Sequence, residues 1–206
     1  MAQWSFEEGE GNVARDTSGL GNDLQLTRPV WTEGKVGKAL DLRGEGSAGT
    51  LFRAKLPPTE AMSVAAWVKP TKYPEAGYGC VLYLGRGSAD RFEFGFGPDN
   101  IYPVITNGYD FAHGHLYVAD MKARIPEGQW GHIAIVADQQ GAATYVNGEC
   151  VRETTFRGEF DFWGVPIELG ARQGREEFEG LVDEVRIWGR ALTSEEIKAR
   201  VGGHAD

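Results

Sequence analysis

Side-chain oxygens crowd one short stretch near the start of this 206-residue chain: Asp16, Thr17, Ser18, Asn22 and Asp23, punctuated by Gly19 and Gly21. Such a loop can also turn its carbonyls inward, and calcium takes roughly six to eight oxygen ligands. A plain Asx-type turn needs the same residues and stands as the other reading. Far along the chain lies Asp183, in Leu181-Val182-Asp183-Glu184-Val185-Arg186-Ile187. A strand of period two places it on the face of Leu181, Val185 and Ile187. If that face points inward, the carboxylate needs a cation or several hydrogen bonds. Asp16, Asn22 and Asp183 can each offer oxygen to a structural calcium, which would raise the melting temperature if the loop and the strand converge. A hydrogen-bonded buried Asp is the alternative.

A second group of residues suits the gripping of hydroxyls. In Arg91-Phe92-Glu93-Phe94-Gly95-Phe96 the phenylalanines share one face, so Arg91 and Glu93 share the other. The run from Tyr109 to Tyr117 adds Tyr109, Asp110, His113, His115 and Tyr117. There the same period sets Leu116 and Val118 inward and leaves His113, His115 and Tyr117 outward. Together these seven polar residues form an expected ligand-binding face, provided the two strands lie side by side or nearly so. A solvated sheet surface is the competing reading.

Many short strands must position these groups. Runs of β-type residues between Gly, Asn, Asp and Pro recur along the chain, the pattern of a sandwich or barrel. Expected strands are Ala39 to Leu42, Met62 to Val68, Cys80 to Leu84, Arg91 to Phe96, Ile101 to Thr106, His115 to Ala119, Gly131 to Ala137, Ala142 to Val146, Cys150 to Phe156, Ile167 to Leu169 and Gly180 to Trp188. Asn147-Gly148 marks a type I′ hairpin between two of them. The one expected helix starts at Thr193, where Glu196 completes a capping box and Leu192 and Ile197 form a hydrophobic staple, and it ends near Arg200 before Gly202 and Gly203. A single all-β domain over residues 1–206 follows; that length is ordinary for a sandwich.

The net charge is −9 with a pI near 5.0. That balance excludes nucleic acid and anionic membrane surfaces, which recruit basic patches. No apolar run approaches the ~18 residues of a membrane span. The first residues show no charged segment followed by an apolar one, so we read the chain as a domain of a longer exported protein. Cys80 and Cys150 lack the close spacing of a metal or redox motif. Two buried thiols are expected, with a disulfide as the alternative.

Read in order, several segments resemble the laminin G-like jelly roll of the concanavalin A-like lectin and glucanase superfamily. They are Trp4 to Gly9, Asp16 to Gly19 with Asn22-Asp23, Gly34 to Leu40, Ser63 to Pro70, Gly128 to Ala134, Tyr145 to Gly148, Phe178 to Trp188 and Arg190 to Ile197. The resemblance implies two packed antiparallel sheets, one concave, a calcium ion where Asp183 and the Asp16 loop converge, and a binding role on or beside the concave face. Trp67, Trp130 and Trp188 are expected to fill the core, whereas Trp31 and Trp163 lie in irregular segments.

Glucanases of that superfamily carry two or three alternating carboxylates on one strand. This chain has no such run; Glu177 and Glu179 read as a solvated edge. No Gly-x-Ser-x-Gly elbow, His-Glu-x-x-His helix or phosphate loop is present. The expectation is a noncatalytic glycan- or polysaccharide-binding module on an extracellular or cell-surface protein, with a protein partner possible in place of glycan. The alternative is a polysaccharide lyase or hydrolase, kept open by the His and Tyr residues of 109–117, which can serve as base and acid.

Overall fold

The computed structural model describes residues 1–43, 48–85, 91–106, 115–117, 123–155 and 159–202. Among the described residues sixteen strands occur in order: β1 (Ala2–Trp4), β2 (Val13–Ala14), β3 (Leu24–Thr27), β4 (Val30–Glu33), β5 (Lys38–Asp41), β6 (Ala48–Leu51), β7 (Met62–Pro70), β8 (Gly79–Gly85), β9 (Arg91–Phe96), β10 (Ile101–Thr106), β11 (His115–Tyr117), β12 (Gly131–Ala137), β13 (Ala142–Val146), β14 (Glu149–Thr154), β15 (Ile167–Leu169) and β16 (Gly180–Trp188). One helix, α1 (Ser194–Val201), closes the series.

The strands form two antiparallel sheets. Sheet 1 has the order β14-β13-β12-β7-β16-β5-β4, with β1 also paired to β16. Sheet 2 has the order β11-β10-β9-β8-β15-β6-β3-β2. This is the all-β jelly-roll sandwich expected from the sequence. Trp4, Phe6, Phe92, Phe94, Phe96 and Phe178 are fully buried within one apolar cluster that draws on both sheets. Asn147 and Gly148 both take positive φ, at 51° and 83°, and close the β13–β14 hairpin as the dipeptide predicts.

Helix α1 lies on the outer side of sheet 1. Its cap is the expected box: the Glu196 amide donates to Thr193 Oγ1, and the Glu196 carboxylate accepts from the Thr193 amide. Leu192 and Ile197 pack on Ala65, Ala134 and Val136 of β7 and β12. The outer side of the central strands is thereby covered, which is why β7 and β12 are buried on both faces. Replacing Thr193 by Ala should cost about 1 kcal/mol, read as a lower urea midpoint at unchanged slope.

Three sequence expectations are corrected. Cys150 is exposed, because β14 is the edge strand of sheet 1, and both it and the buried Cys80 are free thiols. Trp188 and Trp130 are only partly buried. The tryptophan that fills the interior is Trp4, 0% exposed, whose Nε1 donates to the Asn22 carbonyl at 2.8 Å.

Asp183 also departs from its expected face. A bulge between Asp183 and Arg186, with Glu184 at φ 49°, shifts the period of β16. Val182, Val185 and Ile187 point into the core cluster, so Asp183, opposite Trp67, stands on the outer face instead. It is still fully buried, because the turn at residues 34–37 folds over it: the amides of Lys35 and Val36 donate to Oδ2 at 2.9 and 3.0 Å. Gly34 makes that approach possible, since a Cβ there would stand 2.7 Å from Oδ2.

Candidate functional site

Phenylalanines 92, 94 and 96 anchor β9 in the core and turn Arg91 and Glu93 to the outer face of sheet 2. Strand β10 lies between β9 and β11, and the register aligns Arg91 with Thr106 and His115, and Glu93 with Val104 and Tyr117. His115 and Tyr117 thus stand at register positions one strand removed from Arg91 and Glu93. Tyr109, Asp110 and His113 lie outside the described residues.

A cavity of about 390 Å³ opens on this face, lined by Arg91, Glu93, Tyr78, Tyr102, Val104 and Arg172 among others. Arg172 comes from a tight hairpin after β15. Residues 172 and 175 exchange backbone hydrogen bonds of 2.7 and 2.9 Å, and Gln173 and Gly174 between them take positive φ. The hairpin tip holds the Arg172 guanidinium over Glu93, donating from Nη1 at 3.1 Å, and over Glu176, donating from Nη2 at 2.7 Å. Arg91 Nε approaches Glu93 at 3.8 Å, too far for a hydrogen bond, and has no other hydrogen-bond partner among the described residues. Glu93 is 1% exposed. Burial pushes its carboxyl above the ordinary range, against the pull of Arg91 and Arg172.

Tyr78 and Tyr102 form the aromatic side of the cavity. Their rings meet edge to face at 5.4 Å, and the Tyr78 hydroxyl donates to the Tyr102 carbonyl at 3.0 Å. Burial holds the Tyr78 phenol well above its usual pKa, so it stays protonated and serves as a donor rather than a base. The Arg91 and Arg172 guanidinium groups, held in place by the buried Glu93, can donate to adjacent hydroxyls while a sugar ring packs on the partly exposed tyrosines. Tyr102 was legible by alternation, because Ile101 and Ile105 face the core. Arg172 carried no local signal: its role depends on a hairpin folding back across the sheet. Glu177 and Glu179 are exposed around the buried Phe178, the solvated edge expected of them.

Asp16, Asn22 and Asp183 each accept from protein donors. Asp16 Oδ1 accepts from the amides of Gln3 and Ser18, and Oδ2 from the Asn22 amide and the Ser18 hydroxyl. Asn22 Oδ1 accepts from the Lys55 amide at 2.7 Å. Asp183 belongs to a separate cluster at the 34–37 turn. No group of three or more His, Cys, Asp or Glu side chains among the described residues is arranged to hold a metal. The lone pairs that calcium would take on Asp16 already serve protein donors. Burial raises the Asp16 pKa, but the bonds from Ser18, Asn22 and Gln3 outweigh it and leave the carboxyl below its ordinary value. Melts with calcium and after thorough chelation test the expected ion: a rise with calcium would support it, and an unchanged melt would exclude it. Asp16→Ala should cost about 1–3 kcal/mol by orphaning those donors, measured by urea unfolding.

A family model described as the concanavalin A-like lectin/glucanases superfamily matches residues 43–198. Among solved structures, the chain is similar to domain 4 of AbnA, a GH43 extracellular arabinanase from Geobacillus stearothermophilus, in complex with arabinotriose. That match has 23% identity and a TM-score of 0.76, covering 96% of this chain and 95% of the other. The chain is also similar to the botulinum neurotoxin serotype D ligand binding domain in complex with N-acetylneuraminic acid, at 15% identity and TM-score 0.73, covering 98% of this chain and 50% of the other. The binding domain of Paraclostridial Mosquitocidal Protein 1 aligns at 15% identity and TM-score 0.75, covering 98% and 52%. The chain spans about half the length of those two toxin structures. The comparison with curated proteins finds no match.

Proposed function

This chain belongs to the concanavalin A-like lectin/glucanase superfamily, and on that premise we propose that it is a noncatalytic carbohydrate-binding module of a larger exported protein. The observation that carries the reading is the outer-face cavity in which Arg91, Glu93, Tyr102 and Arg172 converge. Its groups are suited to hydroxyls and a ring face, and Arg172 ties up both Glu93 and Glu176. Arabinotriose in a domain of similar fold, and N-acetylneuraminic acid in a toxin binding domain of which this chain covers half, support a sugar as ligand class.

A glycan array followed by calorimetry on each positive glycan tests the proposal. Arg91→Ala and Tyr102→Ala should each weaken binding by about 1 kcal/mol or more. Binding to no glycan, or full affinity in the double variant with an intact melt, would overturn it. Shortening of a bound polysaccharide by the purified chain would replace it with the enzyme reading.

A further inference from the structure

The outer face of sheet 1 carries a second cavity, of about 260 Å³, between the 34–37 turn and the C-terminal end of α1. Trp67, His132, Arg186, Trp188 and Arg200 line it, together with Glu184, whose carboxylate is paired with Arg186. The geometry points to this cavity as a binding site for an oxyanion, such as the carboxylate of an acidic sugar, separate from the sugar site on sheet 2.

Unsatisfied donors carry the inference. His132 is only 3% exposed, yet its Nδ1 has no hydrogen-bond partner among the described residues. Arg200 presents buried Nε and Nη1 atoms in the same condition. Buried polar atoms are nearly always paired, so several unpaired donors around one cavity mark the place of a missing acceptor. Burial, with Arg200 and Arg186 adding, pulls the His132 pKa down to about 4. The ring is neutral at pH 7, and its Nδ1 can carry the proton that it donates.

The charge balance agrees. Glu196 is the natural i,i+4 partner of Arg200 on α1. It is instead committed to the helix cap and to Arg190, which donates to both of its carboxylate oxygens. Glu184 is held by Arg186 through Nε and Nη2. Arg200 thus makes no direct ion pair among the described residues, and burial and Arg186 keep its pKa below the ordinary value against the more distant pull of Glu196 and Glu184. Lys35 adds another cation, 4.5 Å over the Trp67 ring. Asp183 shares the face but is turned into the amides of Lys35 and Val36 and does not line the cavity. In a chain of net charge −9, this is a local excess of positive charge. Arg200 stacks 4.6 Å over Trp188, and Trp67 meets His132 edge to face at 5.3 Å, so the donors are held between rigid aromatic walls.

The test is an NMR titration of the chain, labelled at histidine, with glucuronate, with sulfate, and with glucose as the neutral control. Saturable shifts of the His132 ring signals are expected with glucuronate and not with glucose. Equal response to sulfate identifies a bare oxyanion site, and response to glucuronate alone identifies an acidic-sugar site. Arg200→Met, which keeps the packing on Trp188, should weaken binding about tenfold or more. If that variant melts early, Arg200→Lys, which retains charge without the planar fork, should weaken binding in the same direction. No saturable shift with either anion, equal shifts with glucose, or unchanged affinity in a folded Arg200 variant would overturn the site.

Discussion

Replacing Asp183 by Asn flattens the pH dependence of stability between about pH 4 and pH 7 and raises the melting temperature above that range. Burial, assisted by the neighbouring Glu184 charge, lifts the Asp183 pKa from 3.8 to about 7, outweighing the hydrogen bonds from Val36, Glu184 and Lys35. Its Oδ1 has no partner among the described residues. A carboxyl with a raised folded-state pKa binds its proton more tightly in the native chain than in the unfolded one. Its contribution to stability is therefore complete below the unfolded value and is lost as pH rises toward the folded value. The gap corresponds to roughly 4 kcal/mol. Asn keeps an oxygen for the Lys35 and Val36 amides and removes the ionisation, but it sets an amide NH2 where Oδ1 stands unpaired, which costs about 1–3 kcal/mol. The net gain at pH 8 should be about 1–3 kcal/mol. Urea midpoints across the pH range would show it; parallel profiles for the two proteins would mean that Asp183 is not the titrating group.

Arg172→Ala should strike fold and site together. Removing one partner from a buried ion pair leaves an uncompensated charge, at a cost of about 3–5 kcal/mol, and Glu93 beneath it is almost wholly buried. Arg91, at 3.8 Å, is too distant to replace the lost hydrogen bond. The Glu93 pKa, already raised by burial, should rise further. By the same sign rule, the variant's deficit should then grow as pH rises above the acid range. Coupling Arg172→Ala with Glu93→Gln should recover much of the stability without restoring glycan affinity. A single variant as stable as the parent at pH 8 would show that Glu93 is not dependent on this guanidinium.

The features that local chemistry dictates were legible in the sequence. Asn147-Gly148 accepts the positive φ of a two-residue turn, Thr193 and Glu196 close a helix start, and alternation in 91–96 separates Phe92, Phe94 and Phe96 from Arg91 and Glu93. Each depends on residues within one turn or one strand, so no distant partner is needed to specify it. What crosses the chain was decided only by the tertiary structure. A one-residue bulge at Glu184 moved Asp183 to the opposite face, because a period-two reading fails at the first extra residue. Loops and α1 buried the outer side of sheet 1, so burial there did not mean the interior. Asp16, rich in acceptors on paper, spends them on Gln3, Ser18 and Asn22. Oxygen-rich composition cannot tell hydrogen-bond donors from a cation, because both satisfy the same lone pairs. Arg172 reached Glu93, 79 positions away, through a hairpin that folds back over sheet 2, and only packing can establish such a contact.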